Sequence, residues 1–463
     1  MHRLIVKFSG LASIIIVILA LVGFPATSYG APVAQVTSVR FAALGDYGTG
    51  NQNAEAVANL IKSWTPDFII SLGDNNYPNG GADTIDNNIG KFYHEFIRPY
   101  TGEFGGGAQT NRFFPSLGNH DWETPNAQPY LDYFDLPGNE RYYSFIWGPV
   151  QLFALDSDPN EPDGITSDSI QANWLRRELT ASTARWKVVY MHHPPFSSGD
   201  EHGSNADLQW PFQEWGADVV LAGHDHIYER LIYDDFPYFV NGLGGGEMYG
   251  FDTPLPGSLV RYNDDYGAML IEASENSIAF QFYSIEGGGT LVDSYTLFSN
   301  ATLLRSVAEA NARVEETRPD KKYGEDKTLH VDGGADPAIE SYLRFTVIGI
   351  TGEVQQAILR VFAITDSVDG PEVYVTSNGW EERGTNGITW STRPPHDAEP
   401  IDSADVVLRE TWIEFDVTSV VQGNGTYSFV IASDSEDGLT LSSRMGDAPP
   451  ELVVTFSVPL TEE

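Results

Sequence analysis

The chain has 463 residues, too many for one ordinary hydrophobic core, so two domains plus an extension are expected. Its formal charge of −39 repels the backbone of nucleic acids and anionic membranes; this excludes nucleic acid as a partner but leaves a small phosphate ester open wherever local cations outweigh the distant field. Cysteine is absent, so there are neither disulfides nor thiolate ligands, and stability must come from packed apolar cores assisted by bound metal.

Taken in order, Arg3 and Lys7 precede an apolar stretch from Leu11 to Phe24, and Pro25 and small residues follow up to Gly30. This is the layout of a secretory signal over residues 1–30; the apolar run is shorter than the roughly 20 residues of a membrane span, the alternative reading. No later stretch reads as a span, so a soluble chain that is secreted, periplasmic or on the cell surface is expected. Residues 31–300 form the first predicted domain. Val39 to Leu44 reads as a strand, Asn53 to Trp64 as a helix with Val57, Leu60, Ile61 and Trp64 in phase, and Asp67 to Leu72 as a parallel partner strand. A second amphipathic helix is predicted from Thr84 to Ile97, then a strand at Phe113-Phe114. Tyr142 to Trp147 and Val150 to Leu155 read as a hairpin and Ser169 to Leu179 as a helix. Trp186 to Met191 is a strand, the region from Leu208 to Trp215 a helix, and Ala217 to Ala222, Tyr238 to Leu243, Ala268 to Ala273 and Ile278 to Ser284 further strands. This mixture predicts an α/β domain of two packed sheets with helices outside. Residues 301–322, charged and small, are expected to be a linker with a short helix, and residues 323–463 an all-β sandwich built of short alternating strands.

Five of the predicted strands end in polar tips: Gly45-Asp46-Tyr47-Gly48, Gly73-Asp74-Asn75-Asn76-Tyr77, Gly118-Asn119-His120-Asp121, His192-His193 after Val189-Tyr190-Met191, and Gly223-His224-Asp225-His226. Open α/β sheets place their sites at the carboxyl ends of strands, so the five tips are expected to meet in one cleft. Of ten histidines, six (His120, His192, His193, His202, His224 and His226) lie between positions 120 and 226. Imidazole, carboxylate, carboxamide and phenolate make a nitrogen and oxygen donor set that suits iron, zinc or manganese. A carboxylate can hold two ions at once, and a phenolate three residues after Asp74 suits a hard, highly charged cation, which points to two metals. Such a pair polarises a phosphoryl oxygen and lowers the pKa of a bound water, so hydrolysis needs no protein nucleophile.

With these residues quoted, the stretches GDYG, GDNNY, GNHD, VYMH and GHDH resemble, in order, the five motifs of the purple acid phosphatases, within the calcineurin-like metallophosphoesterases, over about residues 39–300. The resemblance implies a two-sheet αββα sandwich. It implies that Asp46, Tyr77 and His226 hold Fe3+, that Asn119, His192 and His224 hold a divalent ion (Fe, Zn or Mn), and that Asp74 bridges them. It also implies that His120 binds the substrate phosphate or protonates the leaving alkoxide, with fixation of its loop by Asp121 as the plainer role. His202, in Glu201-His202-Gly203, is similar to a histidine that faces the leaving group in the small mammalian-type members; an exposed loop histidine is the alternative. His193 is expected to be structural, and Asp156 and Asp225 to be turn carboxylates.

Farther on, Leu343-Arg344-Phe345, Ile388-Thr389-Trp390, Arg393-Pro394 and Trp412-Ile413-Glu414-Phe415 resemble the DNRLRE-type β-sandwich modules of secreted bacterial enzymes, some of which bind polysaccharide. The resemblance implies a jelly-roll-like, carbohydrate-binding accessory domain, with Trp412 expected in its core. Its charge of about −18, from 25 acidic and 7 basic residues over 323–463, argues against polyanionic sugars. The whole reads as a secreted acid phosphatase acting on phosphate monoesters. A phosphodiesterase or nucleotide or pyrophosphate hydrolase on the same site, and a non-catalytic surface or carbohydrate-binding protein, are the alternatives.

Overall fold

The computed structural model describes residues 38–457; the expected signal at 1–30 lies outside the described residues. The first domain is built on two sheets. Strands β1 (Ser38–Leu44), β2 (Phe68–Ser71) and β3 (Phe113–Pro115) are parallel to one another. The hairpin β4 (Tyr143–Trp147) and β5 (Val150–Ala154) leads into a second parallel set, β5, β6 (Trp186–Tyr190) and β7 (Val219–Ala222). The chain then adds β8 (Tyr228–Tyr233), β9 (Phe236–Asn241), β10 (Ser258–Tyr262), β11 (Gly267–Ser274), β12 (Ser277–Ser284) and β13 (Thr290–Phe298). The first sheet runs β13-β12-β11-β1-β2-β3 and the second β10-β8-β9-β7-β6-β5-β4. The central strands β2, β5 and β7 are buried along their whole length and β1 from Phe41 onward, which is why they read as continuous apolar runs, whereas β12 alternates between buried and partly exposed positions.

The inner faces of both sheets share one core that includes Phe41, Ile70, Phe114, Leu152, Val188 and Phe280. Helix α1 (Gln52–Ser63) buries Ala54, Val57, Leu60 and Ile61, and its amino end is capped by the Asn51 carboxamide, which accepts from the Ala54 amide at 2.9 Å. Helix α2 (Ile170–Ala181), capped by Ser169, packs Ala172, Leu175 and Leu179 with Phe153, Val189 and Val220 on the outer face of the second sheet. Helices therefore cover the sheets from outside, as expected. Two predicted helices are broken. Thr84 to Ile97 becomes a π turn (Asp86–Gly90), one α turn (Lys91–Tyr93) and a 3-10 turn (His94–Phe96). Leu208 to Trp215 divides into a 3-10 turn (Ala206–Leu208) and one α turn (Phe212–Trp215), because Pro211 supplies no N–H at the junction.

Beyond β13 every sheet is antiparallel. One consists of Ala301–Val307, Glu451–Ser457, Val354–Phe362 and Trp412–Asp416, a second of Ala310–Glu315, Ile339–Val347, Gly425–Ala432, Glu372–Thr376 and Asp402–Ser403, and a small third pairs Thr328–Val331 with Leu439–Ser442. Leu343, Phe345 and Phe429 meet Leu359, Phe415 and Val454 between the two larger sheets, making a β-sandwich. The expectation of a linker at 301–322 is corrected here: Ala301–Val307 and Ala310–Glu315 are strands of the sandwich, paired with Glu451–Ser457 and Ile339–Val347. Trp412 is also corrected. It lies outside the core, half-buried, with the Arg360 guanidinium 4.7 Å from its ring.

The domains touch through charge. Arg230 on β8 gives Nε and Nη2 to Asp293 on β13 at 2.8 and 3.2 Å, and Nη2 also reaches Glu414 of the sandwich at 2.7 Å. Arg305 of the sandwich reaches Asp235 at 2.6 Å. Among the described residues no helix is long and apolar enough to cross a membrane.

Candidate metal centre

The tips of β1, β2, β3, β6 and β7 meet at one end of the two sheets, as their sequence pattern predicts. Side-chain direction is set by unusual backbone: Asp46, Asp74 and His224 have φ of 58°, 50° and 71°. Such left-handed conformations are uncommon for residues with a Cβ, and here they turn each chain back at once, so that the side chain points between the sheets. Glycines at the tips, among them Gly73 just before Asp74 and Gly118 on the β3 loop, leave space for this. A Cβ on Gly118 would sit 2.2 Å from Asp74 Oδ1, and one on Gly73 2.5 Å from the His192 ring.

All seven expected ligands come together in two groups. In the first, the Tyr77 hydroxyl lies 3.2 Å from Asp46 Oδ1 and 3.1 Å from His226 Nε2, which is 3.3 Å from Asp46 Oδ1. In the second, His192 Nε2 is 2.9 Å from Asn119 Oδ1 and 3.0 Å from His224 Nδ1. Asp74 faces both: Oδ2 is 3.0 Å from the Tyr77 hydroxyl and Oδ1 is 3.4 Å from His192 Nε2. Adjacent donors around a single ion at about 2.1 Å are separated by about 3 Å, so each group has the spacing of one coordination sphere.

The protons are arranged to match. His192 Nδ1 lies 2.9 Å from the Leu72 carbonyl and His226 Nδ1 2.5 Å from that of Glu247, so each ring donates its Nδ1 proton outward and turns the Nε2 lone pair inward. Burial holds the His192 imidazole down at about 4, and burial with its neighbouring histidines pushes His224 far down, so both are neutral donors. Burial, then Asp46 and Asp121, raise the Asp74 carboxyl well above its usual range. Burial, then Asp74 and Asp46, do the same to the Tyr77 phenol. Lone pairs and carboxylates converging in a buried space repel one another unless cations sit between them, and the donor set fits two.

The supporting residues were largely hidden in the sequence. Asn75 accepts from Ser71 Oγ at 2.5 Å and from the Tyr47 hydroxyl at 3.0 Å, and donates to Asp121 Oδ2 and the Ser116 carbonyl, both at 2.8 Å. Asp121 also accepts from the Gly118 amide at 3.0 Å, so it fixes the β3 loop. It does not orient His120. The His120 Nδ1 instead lies 2.5 Å from the Pro78 carbonyl and 3.4 Å from Glu123 Oε1, with Nε2 3.8 Å from Asp74 Oδ2. Asn88, brought up by the π turn, donates to the Asn76 carboxamide and to the Tyr77 carbonyl at 2.8 and 2.9 Å. His193 is buried, with its Nδ1 2.9 Å from Ser157 Oγ, in keeping with a structural role. Asp156 accepts from the Trp122 indole at 2.9 Å. Asp225 accepts from Ser197 Oγ and from the amides of His202 and Gly203, holding that loop. His202 is exposed and stacks on His224 with ring centres 4.0 Å apart, while Tyr249, not foreseen, lies flat on His226 at 4.1 Å.

Both parts of the chain have relatives among known proteins. Residues 39–228 match the calcineurin-like phosphoesterase family, and residues 303–456 match carbohydrate-binding module family 96. Purple acid phosphatase 17 of Arabidopsis thaliana is 29% identical over 286 residues, covering 54% of this chain and 82% of that protein. Purple acid phosphatase 3 of the same plant is 28% identical over 288 residues, covering 54% and 75%. The mouse (Mus musculus) tartrate-resistant acid phosphatase type 5 is 26% identical over 265 residues, covering 49% and 78%. Residues 39–228 are thus a calcineurin-like phosphoesterase domain, with purple acid phosphatases among the homologues of this part of the chain, and residues 303–456 that follow it are a family 96 carbohydrate-binding module.

Proposed function

We propose that this chain is an exported acid phosphatase that hydrolyses phosphate monoesters at a binuclear centre. In this reading Asp46, Tyr77 and His226 hold Fe3+, Asn119, His192 and His224 hold a divalent ion (Fe, Zn or Mn), and Asp74 joins the two. The observation that carries it is the division of seven donors into two groups that share the two oxygens of Asp74. When bound, the ions supply Lewis acidity toward the phosphoryl group and a water activated for attack. The protein's own groups do the rest. With Nδ1 tied to the Pro78 carbonyl, His120 keeps Nε2 toward the cleft, where it donates to a phosphate oxygen or to the departing alkoxide. His202, stacked on His224, stands at the open side as a second donor to the leaving group. The signal-like layout of residues 1–30 supports export, and the family 96 module supports attachment to polysaccharide near the substrate.

The test is metal analysis and a visible spectrum of the purified protein, with aryl phosphate hydrolysis by wild type and Asp74→Ala. About one equivalent of iron, a phenolate charge-transfer band and loss of turnover by several orders of magnitude in the variant are expected. A colourless protein holding only zinc would overturn the iron assignment. A Tyr77→Phe variant that keeps the band would overturn the phenolate. Full activity in Asp74→Ala would overturn the centre as a whole.

A further inference from the structure

The loops that surround the candidate centre hold no lysine or arginine. None occurs between Arg40 and Lys62, Lys62 and Lys91, Arg112 and Arg141, Arg141 and Arg176, Lys187 and Arg230, or Arg230 and Arg261, and these intervals contain every strand tip described above. Six of the cations that bound them are engaged elsewhere. Arg40 and Lys187 lie toward the amino ends of β1 and β6, and Arg112 just before β3, so each is at the end of its sheet away from the site. Arg141 is paired with Glu161 and Asp163, and Arg230 with Asp293 and Glu414. Arg261 lies over the Phe251 ring and donates to the Asp252 carbonyl.

Carboxylates occupy the rim instead. Glu123 is half-exposed and 3.4 Å from the His120 ring, Glu201 is exposed beside His202, and Glu247 is exposed next to the carbonyl that fixes His226. A phosphoryl group is met at the centre by the cations and by His120. Among the described residues, whatever extends outward from it meets the rings of His202 and Tyr249 and otherwise carboxylates and exposed dipoles, from loops that hold no lysine or arginine. A leaving group with phosphates of its own finds no lysine or arginine to pair with there and is repelled by the carboxylates of the rim, whereas an alcohol, a sugar or an ammonium-bearing group is not.

Resting on the phosphatase reading above, we infer that the site selects phosphate monoesters whose leaving group is neutral or cationic, and discriminates against nucleoside triphosphates, pyrophosphate and polyphosphate. The discrimination comes from the rim and is electrostatic, so it fades with ionic strength.

The metal-loaded full chain is assayed for kcat/KM on p-nitrophenyl phosphate, phosphoethanolamine, ATP and pyrophosphate, at low and high salt. The two esters are expected to exceed ATP and pyrophosphate by about tenfold or more at low salt, with the gap narrowing several-fold as salt rises. Glu201→Lys is expected to raise the ATP to p-nitrophenyl phosphate ratio several-fold with little change for the aryl ester. ATP or pyrophosphate turned over as efficiently as phosphoethanolamine at low salt would overturn the inference and leave the phosphatase reading intact. So would a ratio indifferent to both salt and Glu201→Lys. Absence of turnover on every ester would overturn the phosphatase reading, and this inference with it.

Discussion

Asp74 does more than any other side chain of the site, and its position depends on a neighbour with no side chain at all. It stands at φ 50°, one oxygen accepting from the His120 amide at 3.0 Å and the other from the Tyr77 hydroxyl at 3.0 Å. A backbone of this kind costs about 1 kcal/mol or more for a residue with a Cβ and persists only where the surroundings impose it. Here they leave it no other place, because Gly118 presses against the carboxylate from the β3 loop, where a methyl group would lie 2.2 Å from Oδ1 and 2.3 Å from the Asp74 amide. Gly118→Ala must therefore move either the loop that carries Asn119 and His120 or the carboxylate itself. A displacement on this scale at a reacting centre is worth about a hundredfold in rate, so kcat is expected to fall by at least that much, with metal content reduced and the circular dichroism of the fold retained. Wild-type metal content and kcat in Gly118→Ala would show that the carboxylate has room it does not have in this structure.

Between elements, the β2 and β3 tips are joined by one buried carboxamide. Asn75 saturates its oxygen with Ser71 and Tyr47 and its nitrogen with Ser116 and Asp121, so truncation to alanine strands several buried partners at once. At roughly 1 to 3 kcal/mol for each group left unsatisfied, and allowing for some relaxation, Asn75→Ala is expected to cost about 2 to 4 kcal/mol in a denaturant titration. A loss below about 0.5 kcal/mol, the usual range of a surface change, would deny the network that role. Asn75 also illustrates what could be read from the sequence. The strand tips were legible because an apolar run ending in Gly-Asp or Gly-His records both burial and a sharp reversal, and every expected ligand lay at such a tip or a few residues past it. The support was not, because it depends on partners 28 to 46 positions away in Tyr47, Ser116 and Asp121, and on a π turn that delivers Asn88 to the Tyr77 carbonyl. Helical periodicity at Thr84 to Ile97 carries no mark of that extra residue in the turn. The strand Ala301–Val307 was missed for a related reason. Its side chains are half or fully exposed, with Leu303 and Val307 47% and 51% accessible, and its partner, Glu451–Ser457, lies far along the chain.

Across the whole molecule the phosphoesterase domain and the sandwich are joined by a buried cation shared between them. Arg230 is nearly inaccessible, bidentate to Asp293 of its own domain and bonded to Glu414 of the other. Removing one member of a buried ion pair is more damaging than never having built it, since the remaining charges stay desolvated and unpaired. Arg230→Leu leaves two carboxylates facing each other at the junction and is expected to destabilise the chain by about 3 to 5 kcal/mol. Glu414→Gln keeps the Arg230 to Asp293 pair and should cost less. The acid response follows from Glu414, where burial opposes ionisation but Arg230 and Arg360 outweigh it and hold the carboxyl below the ordinary glutamate value. A depressed carboxyl contributes stability that is present above the unfolded value of about 4.5 and is lost as pH falls through the lower folded value. The junction should accordingly hold through the mildly acidic range, and loosen only as pH falls below the ordinary glutamate value. Calorimetry of the full chain is expected to give one cooperative transition at pH 5 to 7 that separates into two in Arg230→Leu, with the lower one assigned by protease cleavage near residue 300. Two independent transitions in the wild-type chain at neutral pH would show that the shared cation does not couple the domains, and that the module swings freely from the phosphoesterase.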